Sequence, residues 1–194
     1  MQGKQEDAYV ALARRTVEEY VRTGRQIPVP DDLPEEMYEE RAGAFVSIKI
    51  KIKPAEVATD GNNYNAQSES SLRLRGCIGT IRAVQSCIAQ EIIHNAVSAA
   101  VKDPRFEPIV REELDRLVIS VDILGDMEPI QSEAQLDVAR YGVVVTNGYR
   151  RGLLLPNLEG VDTVEEQVAI AKQKAGIGLQ EDVQMERFEV VRHS

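Results

Sequence analysis

Residues 72–80 read Leu-Arg-Leu-Arg-Gly-Cys-Ile-Gly-Thr and hold the residue types best suited to chemistry in this chain. Cys77 is flanked by Gly76 and Gly79 and preceded by Arg73 and Arg75. A thiol becomes a strong nucleophile once ionised, and neighbouring positive charge favours the thiolate. Glycine lets the backbone adopt conformations forbidden to other residues or approach a ligand closely. On a regular strand Arg73, Arg75 and Cys77 share parity, so all three would project from one face. The expected nucleophile or substrate-holding thiol is therefore Cys77, with Arg73 and Arg75 stabilising negative charge. The structural alternative is a small buried hydrophobe at a strand end, since free cysteine is among the most buried residue types.

His94 is the histidine available as a base for Cys77, in the manner of Cys–His pairs. The alternative is a surface histidine, because nothing in the spacing fixes its distance from the thiol. His193 lies near the C-terminus, where a frayed tail is expected. Asp103-Pro104-Arg105-Phe106 forms a turn in which Arg105 could reach back to the glycine segment or serve structure alone. The candidate ligand-binding set is Arg73, Arg75, Gly76, Ile78, Gly79 and Arg105. Cys77 and Cys87 lie ten residues apart and, with two scattered histidines, match neither a CxxC redox pair nor a zinc ligand pattern. Dinucleotide, Walker-type and nucleophile-elbow patterns are absent, and no cofactor is expected.

The chain that must position these groups has 194 residues, 43% apolar and 28% charged, as an ordinary globular domain does. Aromatic residues make up only 5% and tryptophan is absent, so Val, Ile, Leu and Ala must fill the core. A net charge of −9 argues against broad nucleic-acid binding and against an anionic membrane surface. No apolar run approaches the ~18 residues of a spanning helix. A polar lead-in and free thiols suggest a cytoplasmic location.

Periodicity gives the elements. Tyr9, Leu12, Ala13, Thr16, Val17 and Tyr20 share a helical face over residues 7–22, with Gly24 as its stop. A Pro-rich connector spans Ile27–Pro34, completing a 1–40 N-terminal segment. Val46, Ile48, Ile50 and Ile52 alternate with Ser47, Lys49, Lys51 and Lys53, which predicts a strand. Residues 54–71 read as a long mobile loop, and 72–75 as a returning antiparallel strand. A helix is expected over 86–102, with Ser86 as N-cap and Gln90, Glu91, His94 and Ser98 on its polar side. Leu117–Ile123 makes another strand, and Asn147-Gly148 a hairpin turn. Asp162 with Glu165 predicts the start of a helix ending at Gly176, followed by a last strand over Val183–Val191. Helices and hairpins without a repeated βαβ spacing predict an α+β fold, as one domain built on a mixed, mainly antiparallel sheet.

The string Leu74-Arg75-Gly76-Cys77-Ile78-Gly79-Thr80 resembles the signature of the AMMECR-type domain family. The resemblance continues through Gly43–Val46, Asp103–Phe106, Leu153–Pro156, the helix Val161–Gly176 and Arg187–Glu189, covering nearly the whole of residues 1–194. Microbial members resemble protein A of the AmmeMemoRadiSam grouping. Their genes neighbour, or are fused to, a Memo-like relative of extradiol dioxygenases and a radical SAM protein. The resemblance implies a larger and a smaller lobe with a cleft between them, lined by the glycine–cysteine string. It also implies Memo-like and radical SAM proteins as partners, and allows this chain to be one part of a Memo fusion. The long loop 54–71 departs from the shorter connection expected of the family. Two functions follow as expectations: an enzyme or enzyme component working through Cys77, or a non-enzymatic interaction module presenting the same groove.

Overall fold

The computed structural model describes residues 6–52 and 72–194; the loop expected over 54–71 lies outside them. The fold is α+β, as expected, but its strands divide between two four-stranded sheets instead of forming one. The chain separates into two compact units, Met1–Asp122 with Arg192–Ser194, and Ile123–Val191.

In the first unit, helix α1 (Ala8–Thr23) begins where Asp7 Oδ1 accepts the amides of Tyr9 and Val10. It ends at Gly24, whose φ of 72° supplies the left-handed cap and whose N–H returns to the Tyr20 carbonyl. His193 is not frayed: its Nδ1 lies 3.0 Å from Asp7 Oδ2, and its ring stacks on Tyr9 at 3.8 Å. After the short helix α2 (Glu36–Glu39), strand β1 (Ala44–Lys51) pairs antiparallel with β2 (Leu72–Gly79). Strand β2 thus runs through the whole glycine–cysteine string, four residues beyond the expected end. With β3 (Leu117–Leu124) and β8 (Val190–His193) the sheet order is β2-β1-β3-β8.

Helix α3 (Ile88–Val101) packs on the face of this sheet that carries Val46, Ile48 and Ile50, all buried. Close approach is possible because Gly76 has no side chain: a Cβ there would sit 2.0 Å from the Ala99 carbonyl oxygen. Helix α3 starts after Cys87 and not at Ser86, whose hydroxyl instead binds Gln90. Glu91, expected on the polar side, is fully buried. Its carboxylate accepts the Thr80 hydroxyl at 2.6 Å and the amides of Val84 and Gln85 at 2.8 Å. A buried carboxylate survives there because hydrogen bonds satisfy its oxygens. Those bonds fix the turn that follows Cys77.

The second unit is an antiparallel sheet of order β4-β7-β5-β6, comprising β4 (Glu128–Ile130), β5 (Gly142–Asn147), β6 (Arg150–Leu154) and β7 (Gln184–Phe188). The hairpin forms, but its two-residue loop is Gly148-Tyr149, one residue beyond the expected Asn147-Gly148: Asn147 still pairs with Arg150, and Gly148 alone takes a positive φ, 60°. Helix α4 (Val164–Lys174) packs on Val143, Val145 and Leu154. Its capping box is Thr163 with Glu166, one residue beyond the expected pair, since the threonine hydroxyl accepts the Glu166 amide. The single expected strand over 183–191 is two strands, β7 and β8, which belong to different sheets. The break falls at Glu189, whose carbonyl accepts the Gly125 amide.

Candidate functional site

Cys77 projects from the sheet face opposite α3. Its partner on β1 is Ser47, and the Ser47 Oγ to Cys77 Sγ distance is 3.2 Å. The sulfur is half-buried, whereas Cys87 is buried at 8% exposure.

The arginines expected beside this thiol are elsewhere. Between Ile48 and Lys49 the register shifts: Ile48 faces Gly76, Lys49 faces Leu74, and Arg75 is the extra residue of a bulge. One inserted residue inverts the facing of everything before it. Arg73 therefore lies opposite Ile50, on the other side of the sheet from Ser47 and Cys77. Arg75 is turned toward Glu113, making bonds of 2.7 and 2.9 Å, and toward the carbonyls of Glu107 and Pro108. Burial pushes the Glu113 carboxyl up, but the Arg75 hydrogen bonds, the Val110 amide and nearby positive charge outweigh it and hold the carboxyl low. Arg75 is thus a structural clamp on the segment that leads into β3.

His94 does not meet the thiol either. It is exposed on α3, and α3 covers the Gly76 face of β2 while Cys77 faces the other way. Gly76 and Gly79 are filled by protein rather than presented to a ligand. A Cβ on Gly79 would fall 2.2 Å from the Phe45 ring, and neither glycine has a positive φ. Ile78 pairs with Val46 on the core side.

Two guanidinium–carboxylate pairs take the place of Arg73 and Arg75. Asp103 accepts the Cys77 amide at 2.9 Å and binds Arg105 through Nε and Nη2 at 2.9 and 2.7 Å. Arg105 Nη2 also donates to the Cys77 carbonyl at 3.3 Å. The Arg105 hydrogen bonds hold the Asp103 carboxyl far below the usual carboxylate range, against a desolvation that pushes it up. Arg192 Nε and Nη2 bind the two oxygens of buried Asp122 at 2.7 and 3.1 Å. Both arginines have raised pKa values. In each the carboxylate hydrogen bond is the main cause, desolvation opposes it, and charge attraction, chiefly to the carboxylate, adds to it. Their side chains keep 55% and 40% of their surface exposed, and among the described residues Nη1 of each has no hydrogen-bond partner. A thiol, a hydroxyl and the Arg105 guanidinium thus meet at β1 and β2, and the Arg192 guanidinium is fixed on β3 of the same sheet.

Of the expected residues, Cys77 and Arg105 come together; Arg73, Arg75 and His94 do not. Arg192 and Asp122 were missed. Their signal is a charged residue inside the apolar, alternating segment Leu117–Leu124 and another directly after Val190-Val191, where the pattern reads only as strand.

A sequence model of the AMMECR1 family matches residues 10–193. The chain belongs to the AMMECR1 family. A protein of Thermotoga maritima is 47% identical over 97% of this chain and 98% of its own length. One from Clostridium acetobutylicum is 44% identical over 98% of this chain, which spans only 36% of that longer protein. The crystal structure of an uncharacterized protein from Pyrococcus horikoshii superposes with a TM-score of 0.79 at 33% identity, covering 95% of this chain and 88% of that one. The AMMECR1 match runs without a break through both compact units and through every segment of the candidate site. No helix among the described residues is long and apolar enough to cross a membrane.

Proposed function

We propose that this AMMECR1 domain is an enzyme or enzyme component in which the Cys77 thiol attacks or holds a substrate bearing a negatively charged group. The observation that carries this is a half-buried sulfur in contact with the Ser47 hydroxyl, on a residue whose carbonyl accepts the Arg105 guanidinium, with the Asp122-bound Arg192 adding positive charge to the same sheet. Aspartate pairing fixes both guanidiniums, so little reorganisation is needed when an anionic group arrives. The Ser47 hydroxyl can donate to a thiolate at Sγ. A Memo-like protein and a radical SAM protein are the proposed partners in the reaction. The greater length of the Clostridium relative supports a domain that works beside other modules.

A second reading is favoured by one feature: among the described residues, the Ser47 hydroxyl is the only side chain hydrogen-bonded to Sγ, and no base stands there. Under it the same surface is a non-enzymatic interaction module. Two measurements separate the readings. Iodoacetamide labelling with peptide mapping should modify Cys77 well before Cys87, and equal slow labelling of both would remove the first. Co-purification with a Memo-like partner should survive Cys77→Ser under either reading, whereas turnover by the assembled system should be lost only under the first.

A further inference from the structure

The second unit carries a cavity of about 340 Å³ whose walls include Asp126, Glu128, Arg140, Tyr141, Arg187 and Glu189. Its construction differs from a scatter of surface charges. The Arg187 and Arg140 guanidinium carbons lie 4.4 and 4.9 Å from the centroid of one ring, that of Tyr141. Each arginine is also tied to its own carboxylate through Nε, Arg140 to Glu189 at 2.6 Å and Arg187 to Glu128 at 3.0 Å. Arg187 Nη1 adds a bond to the Gln135 carbonyl at 2.8 Å. Ring and carboxylate together hold both guanidiniums in place, while among the described residues both Nη groups of Arg140 and Nη2 of Arg187 have no hydrogen-bond partner. Among the described residues Asp126 is exposed and has no hydrogen-bond partner.

We infer that this cavity binds a small zwitterion of the α-amino-acid class, its carboxylate between Arg140 and Arg187 and its ammonium on Asp126. The charges select that class. Two arginines face three carboxylates, and two of those carboxylates are already paired, which leaves Asp126 as the surplus. A simple anion would satisfy the guanidinium donors but meet a net negative wall. A simple amine would satisfy Asp126 and leave the donors unused. A ligand with both ends meets both needs, and a carboxylate can accept from two guanidiniums at once. The volume lies at the lower end of the roughly 300–1,000 Å³ of small-molecule sites, suited to one amino acid and not to a nucleotide.

The test uses the full chain and saturation-transfer NMR with the proteinogenic L-amino acids, followed by titration calorimetry of any binder. At least one amino acid should bind, and its des-amino carboxylate should bind about tenfold more weakly. Asp126→Asn should weaken the amino acid about tenfold and leave the des-amino carboxylate bound at least as tightly as before; Arg187→Gln should weaken both. Asp126 is exposed and, among the described residues, without a hydrogen-bond partner, so its variant keeps the test valid if Arg187→Gln unfolds the sheet. Absence of transfer from every amino acid at about 10 mM would overturn the assignment, a concentration that detects even millimolar affinity. So would equal binding of the carboxylate alone, or binding indifferent to Asp126→Asn.

Discussion

Replacing Asp103 by Asn probes the junction that fixes the backbone of Cys77. Asp103 is buried and accepts four hydrogen bonds, from the amides of Cys77 and Arg105 and from two nitrogens of the Arg105 guanidinium. Asparagine retains one oxygen and no charge. The Cys77 amide, half-shielded in a strand, then competes for that oxygen, and an unsatisfied donor of this kind costs about 1–3 kcal/mol. Arg105 is more than half exposed, so its lost ion pair adds at most about 1 kcal/mol. Urea unfolding followed by circular dichroism should therefore show a loss of about 2–3 kcal/mol at pH 7. The pH dependence supplies an independent check. The Asp103 carboxyl is depressed in the folded protein, so its stabilisation is complete above the unfolded value near 3.9 and declines as pH falls toward the folded value. Between those values the wild-type advantage should shrink by up to about 1.4 kcal/mol per pH unit. A difference under about 0.5 kcal/mol at pH 7, or one unchanged between pH 6 and pH 3, would refute the reasoning, since it lies within ordinary surface-substitution effects.

Three further outcomes can be measured. Gly76→Ala would place a Cβ 2.0 Å from the Ala99 carbonyl, driving α3 from β2, and should cost about 3 kcal/mol or more or yield insoluble protein. Glu91→Gln turns an amide N–H₂ toward donors that now meet an oxygen, and a loss of about 2 kcal/mol in the unfolding midpoint analysis is expected. The Glu181 carboxyl is held down at about 2, first by its hydrogen bond from Arg150 and then by the Gly178 amide. An NMR titration should find its midpoint near that value and return it toward the ordinary range in Arg150→Ala. Any stability it confers is present above the unfolded glutamate value and fades as pH falls toward 2.

Helices and strands were legible in the sequence because their apolar periods are clean: α1, β1, α3 and the β5–β6 hairpin lie within a few residues of where patterning puts them. Two kinds of feature were not. A bulge at Arg75 carries no local signature, yet it decides which arginines stand beside the thiol. Glu91 reads as a solvated residue because its partners, Thr80, Val84 and Gln85, meet it only through a turn that the pattern leaves irregular. The surroundings of Cys77 depend on Arg192, 115 positions away along the 194-residue chain. Arg192 stands on β8, at the opposite edge of the sheet from β2, and turns inward onto Asp122 of β3, an arrangement no spacing rule encodes.

The charge selectivity of Cys77 alkylation tests the central claim most directly. Iodoacetate and iodoacetamide differ by one negative charge, so their rate ratio reports the field at the sulfur. Arg105→Ala and Arg192→Ala should each lower that ratio about two- to fivefold at low ionic strength, with the effect fading in salt, while Arg75→Lys leaves it unchanged. A ratio insensitive to both alanine variants, or one that falls with Arg75→Lys instead, would contradict it.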